Sequence, residues 1–151
     1  MILETERLKL HIASREEMED LIARQTDAEL LTAYREMLQG CIDHPDEWVW
    51  YAVWMIEKKD GTTVGDLSFK GLGADGTVEI GYGIEEAYRN KGFATEAVRA
   101  SAEWALRQPE VSRVEAETEP ENRISQRVLQ KCGFVPLGRM GAEGPRFGKT
   151  R

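Results

Sequence analysis

Sulfur, imidazole and uninterrupted hydrocarbon are all scarce in this chain. Its 151 residues include two cysteines, Cys41 and Cys132, and two histidines. Both cysteines stand at positions that read as helical, so no disulfide framework is implied and a reducing compartment suits the chain. Neither His11 nor His44 sits in a cluster with ligand spacing, and no metal is assigned. No run approaches the roughly 20 apolar residues that cross a bilayer. MILETERLKL carries charges where a signal peptide has its apolar stretch, so a cytoplasmic location without a membrane partner is expected. Positive charge is short as well: 20 Lys and Arg face 27 Asp and Glu, a formal charge of −7. That balance argues against a nucleic-acid surface and mildly favours cationic ligands. There are no repeats, low-complexity tracts or linkers. With 41% hydrophobic residues, the length fits a single domain over residues 1–151.

Periodicity supplies the elements. In ERLKLHI, Leu8, Leu10 and Ile12 alternate with Arg7, Lys9 and His11, which predicts a strand. Ser14 with Glu17 and Thr26 with Glu29 have capping-box spacing ahead of apolar residues at helical intervals, so two helices follow. WVWYAVWMI (48–56) is apolar and rich in β-formers; with Asp60-Gly61 as turn and TTVGDLSFK as partner it predicts a hairpin. Strands are expected over 77–84, 112–118 and 134–140, and helices over 93–107 and 121–132, the second closed by Gly133. The order is β αα βββ α β α β, with a further short strand possible after residue 144.

Three segments look suited to phosphate. GLGADG (71–76) fits G-x-G-x-x-G, but a strand pattern follows it, whereas a dinucleotide site needs a helix there. GPRFGKT (144–150) is one residue short of a phosphate loop and no helix follows it. YRNKGFATEA (88–97) lies between a strand and a helix. Its helix start offers unpaired N–H donors and partial positive charge beside Arg89 and Lys91, while Gly92 lets backbone approach a bulky anion.

Arg89-x-x-Gly92-x-Ala94 resembles the Q/R-x-x-G-x-G/A pyrophosphate motif of the GNAT acetyltransferases. ETERLKL, VEIGYGI and PENRISQRVLQKCGF resemble the branch containing the ribosomal-protein N-terminal acetyltransferases. The resemblance covers nearly the whole chain. It implies an α/β (α+β) fold with a mixed, mostly antiparallel twisted sheet of six to seven strands flanked by about four helices. It also implies acetyl-CoA as cosubstrate and an amine acceptor, either a small molecule or a peptide. The pyrophosphate would lie on the amides of Arg89, Asn90, Lys91, Gly92, Phe93, Ala94 and Thr95, and the pantetheine arm beside Tyr82, Gly83 and Ile84. Monomer and homodimer both fit.

Strand 77–84 agrees from its own pattern. Val78, Ile80, Tyr82 and Ile84 share one face, leaving Glu79, Gly81 and Gly83 on the other, where a ligand can approach backbone. An attacking amine must lose a proton, so a carboxylate base is needed. Glu79 is the first candidate, with an equal chance of a structural ion pair; Glu117 or Glu119 are alternatives on what reads as a solvated acidic face. Asn122 and Ser125 match the family's N-x-x-S: the Asn would hold this segment against the cofactor and Ser125 would donate to the leaving thiolate. Local helix capping is the competing reading of both. The tyrosine acid of many GNAT enzymes is replaced by Leu129. Two other classes stay open: a CoA-binding module without catalysis, and a nucleotide-binding enzyme using one of the other glycine-rich segments.

Overall fold

The computed structural model describes residues 2–151. The alternating segment forms β2 (Leu8–Ile12), with Leu8 and Leu10 fully buried, and the residues before it pair back as β1 (Ile2–Glu4). Next come α1 (Arg15–Arg24), α2 (Ala28–Asp43), α3 (Trp48–Tyr51), β3 (Val53–Lys58), β4 (Thr63–Leu72) and β5 (Thr77–Ile84). The chain finishes with α4 (Phe93–Leu106), β6 (Arg113–Glu117), α5 (Arg123–Lys131), β7 (Val135–Met140) and β8 (Pro145–Thr150). The strands form a single sheet in the order β1-β2-β3-β4-β5-β6-β8-β7, antiparallel except where β5 meets β6. Among the described residues this makes eight strands and five α-helices, against the six to seven and about four expected.

The differences have physical causes. A strand over 48–56 would put Trp48 and Trp50 on the same face. Instead Pro45–Glu47 starts a 3₁₀ turn that runs into α3, and the turn sends the two indoles apart. Trp50 joins the cluster under α4, with Phe69 and Trp104 each 5.3 Å away between ring centroids, while Trp48 packs under α2 and donates to Ala13 O. Thr26 is not a cap: Asp27 caps α2, accepting from the N–H groups of Glu29 and Leu30. Ser14 and Glu17 do form the expected capping box on α1. GLGADG closes the β4–β5 turn, and GPRFGKT supplies β8, which is six residues long and inserts between β6 and β7. The sheet therefore needs no partner chain to fill that position.

Each face of the sheet has its own core. Under α4 lie Leu8, Leu10, Trp54, Phe69, Val78 and Ile80, met by the small residues Ala97, Ser101, Ala102 and Ala105 that let the helix sit close. Under α1 and α2 lie Met18, Tyr34, Cys41 and Val53. On this second side His11 bridges three elements, its Nδ1 2.6 Å from Glu57 and its Nε2 2.7 Å from Glu17.

Burial pulls the His11 pKa down, but hydrogen bonds and charge from Glu17 and Glu57 outweigh it, so the imidazole titrates above its usual value. A raised folded-state pKa stabilises fully below the unfolded value of about 6.5, and the contribution is lost as pH rises through the folded value. Chemical denaturation of His11→Gln and wild type should show the largest stability gap between about pH 5 and 6.5, closing as the pH rises through the folded value. A pH-independent gap would make His11 a packing residue only.

Candidate active site

Three residue pairs, Thr77↔Arg113, Val78↔Val114 and Glu79↔Glu115, hold β5 to β6, and the pairing then ends. β5 continues to Ile84 with its other edge still on β4, so the edge facing β6 is left open. α5 crosses the gap. Its N-cap Asn122 accepts from Ser125 N–H at 3.1 Å, which fixes the first turn and faces Ser125 towards β5. There Ser125 Oγ lies 2.7 Å from the Tyr82 hydroxyl. The cap is thus Asn122 alone, and the Ser125 hydroxyl is free of that duty.

Along the outside of the gap runs a groove of about 1020 Å³ lined by Tyr82, Gly83, Ile84, Arg89, Asn90, Gly92, Phe93, Ala94, Thr95, Asn122 and Ser125. These are the residues proposed from sequence, with one exception: Lys91 does not line it, and its carbonyl instead accepts from Arg7. α4 begins at the groove floor. Its N-cap Gly92 has φ 82°, a left-handed conformation that glycine adopts without strain, and no side chain caps this end. Among the described residues no backbone carbonyl accepts from the N–H groups of Gly92, Phe93, Ala94 or Thr95. Four donors with the positive end of a helix dipole form an anion site. Arg89 reaches back to donate to Ile84 O at 3.0 Å, bracing the loop. Sequence reasoning missed Arg127 and Lys131, which add cations from α5; their one-turn spacing on a helix starting at Asn122 is the signal that could have revealed them.

Inside the gap is a chamber of about 280 Å³, lined by Lys70, Gly81, Tyr82, Glu117, Thr118, Glu119, Asn122, Ser125, Leu129 and Glu143 among others. Tyr82, Asn122 and Ser125 line both spaces, so groove and chamber meet at the Tyr82–Ser125 hydrogen bond. Two features fit an extended polar ligand: Thr118 Oγ1 is buried without a partner, and a side chain added at Gly83 would meet open space. Burial raises the Tyr82 pKa, the Ser125 hydrogen bond opposes it weakly, and the phenol stays protonated at neutral pH. Burial likewise keeps the Cys132 and Cys41 sulfurs as thiols, the latter pushed up to about 11.

The carboxylates sort themselves by partner. Glu79 lines neither space: its oxygens lie 2.9 Å from Lys70 Nζ and 2.8 Å from Arg146 Nη2. Burial raises its pKa, yet hydrogen bonds from Lys70 and Arg146 more than compensate and hold it below the usual carboxylate range, the reverse of what a base requires. The expected solvated acidic face is an ion-pair network instead. Glu115 is 2% exposed and binds Arg139 and Arg146, and Glu117 binds Arg146 Nη1 at 2.7 Å. Glu117 also accepts from Glu143 N–H at 2.7 Å, pinning the β7–β8 turn over the chamber; Gly141 lets that carboxylate lie against the turn, and a Cβ there would displace it. Glu143 was not anticipated from sequence. Unlike Glu79, Glu115 and Glu117, it has no ion-pair partner among the described residues. From the 26–48 wall, Tyr34 donates to Asp66 on β4 at 2.6 Å.

The chain belongs to the GNAT acetyltransferases: the family model described as an acetyltransferase (GNAT) domain matches residues 4–135. It is 39% identical over 84 residues to the uncharacterized N-acetyltransferase YjdG of Bacillus subtilis, covering 54% of this chain and 50% of that one. To the probable N-acetyltransferase YjcK of the same organism it is 34% identical over 110 residues, 72% of this chain and 57% of that one. The match therefore spans only about half the length of these relatives. Among solved structures, the ribosomal L7/L12 α-N-protein acetyltransferase RimL in complex with coenzyme A superposes with a TM-score of 0.78 at 17% identity over 99% of this chain and 98% of that one. A GNAT-family acetyltransferase from Bacillus anthracis gives 0.74 at 20% identity over 99% and 98%. At these identities the likeness is one of fold.

Glu79→Gln should lower the melting temperature by a few degrees, since one carboxylate of a half-buried network is lost. Because the folded pKa of Glu79 is depressed, its contribution is present above about pH 4.5 and disappears as pH falls through the folded value. Calorimetric scans at pH 7 and pH 3 test this, and equal melting of the two proteins at pH 7 would remove Glu79 from the network.

Proposed function

We propose that this chain is an acetyl-CoA-dependent N-acetyltransferase acting on a primary amine. The meeting of groove and chamber at the Tyr82–Ser125 hydrogen bond carries this reading. The α4 N-terminus, with Arg127 and Lys131 nearby, would take the pyrophosphate, and the open edge of β5 from Tyr82 to Ile84 would pair with the pantetheine amides. The thioester supplies an activated acetyl group, and the protein's own groups handle protons. A carboxylate at the chamber accepts one from the attacking ammonium; Glu119 and Glu143 both line it without an ion pair among the described residues, and Glu143, whose backbone N–H is held by Glu117, is the choice. A C–N bond forms and the C–S bond breaks; the Ser125 hydroxyl donates to sulfur, Tyr82 returns a proton to Ser125, and the second proton lost by the nitrogen replaces that of Tyr82 through solvent, so that CoA leaves as the thiol. In this way a phenol from β5 serves where the helix has only Leu129, which is fully buried.

The acceptor approaches from the acidic side, past Glu119 and Glu143, which suits a cationic amine such as a peptide N-terminus, an aminoglycoside or a small metabolite. RimL, with its similar fold, is named for acetylating a ribosomal-protein N-terminus, and a peptide N-terminus is accordingly the first acceptor to test. Among the described residues no helix is long and apolar enough to cross a membrane, and a cytoplasmic location fits the proposal.

A CoA-release screen across peptide N-termini, polyamines and aminoglycosides tests the activity. Gly92→Glu should abolish acetyl-CoA binding by calorimetry while Gly92→Ala weakens it less: both strain the left-handed position, where a Cβ would stand 3.2 Å from Arg7 Nη2, and only the former adds a negative charge at the α4 N-terminus. Binding without turnover on any amine would leave a CoA-binding module, and binding of NAD or ATP in preference to CoA would overturn the reading.

Ser125→Ala should lower kcat about tenfold with CoA affinity unchanged, the worth of one hydrogen bond that strengthens as charge develops on sulfur. Glu143→Gln should cost roughly 10²-fold or more in kcat, whereas Glu79→Gln should not. The opposite ranking of the two glutamates would restore Glu79 as the base.

A further inference from the structure

The turn between β1 and β2 lies far in sequence from the α4 N-terminus, yet it is bound to it by several contacts. Arg7 Nε donates to Glu96 Oε1 at 2.7 Å, and the Arg7 backbone N–H donates to Glu96 Oε2 at 2.8 Å. Thr5 Oγ1 donates to the same oxygen. Arg7 Nη1 donates to Lys91 O at 2.8 Å, and the guanidinium carbon stands 4.6 Å from the Phe93 ring centroid. This segment is the ETERLKL of the sequence, and nothing in the acetyl-transfer chemistry described above uses it.

We propose that Arg7 is a positioning residue for the phosphate-binding loop, holding the Lys91–Gly92 peptide so that its N–H is presented to the CoA pyrophosphate. The inference rests on the reading of the groove as a CoA site. A peptide unit is planar, with its C=O and N–H pointing in opposite directions. An arginine that fixes Lys91 O from behind the loop therefore fixes the Gly92 N–H pointing away from itself. Gly92 lines the groove, and Arg7 is not among the lining residues. The pinned carbonyl also lies between two residues with left-handed backbone, Asn90 at φ 64° and Gly92 at φ 82°. Such a conformation at a non-glycine residue persists only where its surroundings over-determine it. Glu96 does the complementary task. Sitting one turn into α4, it holds the arginine fork in register, and the fork neutralises a carboxylate that would otherwise repel an incoming phosphate. Burial raises the Glu96 pKa, but the bonds from Thr5 and Arg7 outweigh it, so the carboxylate stays ionised at neutral pH.

Arg7 is partly exposed, with 46% of its side chain accessible, so screening limits its electrostatic worth and the effect on affinity should be moderate. Calorimetric titration of CoA into Arg7→Ala should show about tenfold weaker binding than wild type, with Arg7→Lys recovering only part of it, since an ammonium supplies charge without the fork. In turnover the loss should fall on the KM for acetyl-CoA rather than on kcat. Hydrogen exchange without ligand gives a second readout: amides 90–95 should exchange faster in Arg7→Ala and unchanged in Arg24→Ala, whose exposed pair with Asp20 on α1 serves as a control. Should Arg7→Ala fail to fold, Thr5→Val and Glu96→Gln loosen the same contacts and should weaken CoA binding in the same direction. A CoA affinity for Arg7→Ala within twofold of wild type, with only a lower melting temperature, would overturn the proposal. Full recovery by Arg7→Lys would also overturn it, because charge alone would then suffice. If Gly92→Glu still binds CoA, the reading of the groove itself fails; if Gly92→Glu abolishes binding while Arg7→Ala does not affect it, the positioning role alone fails.

Discussion

The feature on which the rest of the site depends is the parting of β5 from β6 after three residue pairs. Two parallel strands that stayed together would leave no chamber and no free edge, and α5 would pack on a closed sheet. Because they part, β5 keeps one side hydrogen-bonded to β4 and offers the other to a ligand, and the space between the strands becomes the chamber. The cost of opening a sheet is unpaired backbone. Here the open edge is short and bordered by glycines, and it faces α5 across the gap, so its groups remain available to solvent or to an extended polar ligand.

Below the fork the sheet is held by charge. Arg146 on β8 contacts carboxylates from two strands, Glu79 on β5 and Glu115 and Glu117 on β6. One guanidinium with five donors in a rigid fork can serve three acids in a way that lysine could not. Such a network adds little net stability over a well-packed apolar layer, but losing one member leaves the others uncompensated. Its consequence is geometric: it closes the base of the fork and, through Glu117, seats the β7–β8 turn so that Glu143 stands at the chamber. Glu79, the acid singled out first from sequence, is tied into the scaffold, and Glu143, which lines the chamber, sits in a turn.

Much of this was legible in the chain. The loop before α4 is local, and a strand, a glycine in the right place and an amphipathic helix are sufficient to outline it; of residues 89–95 all but Lys91 line the groove. The β3–β4 hairpin at Asp60-Gly61, the capping box at Ser14 and the asparagine of N-x-x-S were equally local. What could not be read depended on pairing across the sheet. The insertion of β8 between β6 and β7 brings Arg146 next to Glu79, and no periodicity within 77–84 reports on a residue 67 positions away. Glu143 stands at the chamber only because Glu117 pins its turn. The hydrogen bond between Tyr82 and Ser125 joins residues 43 apart, so a phenol that reads as a core alternation partner stands where groove and chamber meet. In the 48–51 segment, β-propensity was overridden by the need to send two indoles to opposite cores.

The central claim is that one ligand lies along the α4 N-terminus and passes its reactive end through the fork beside Tyr82 and Ser125. Amide NMR during titration with acetyl-CoA tests it most directly. The account predicts large, saturable shifts at the amides of Gly92, Phe93, Ala94 and Thr95, at residues 82–84 on the open edge of β5, and at Ser125, with little change in α1 and α2. Shifts that saturate elsewhere while those of residues 92–95 stay fixed would contradict it.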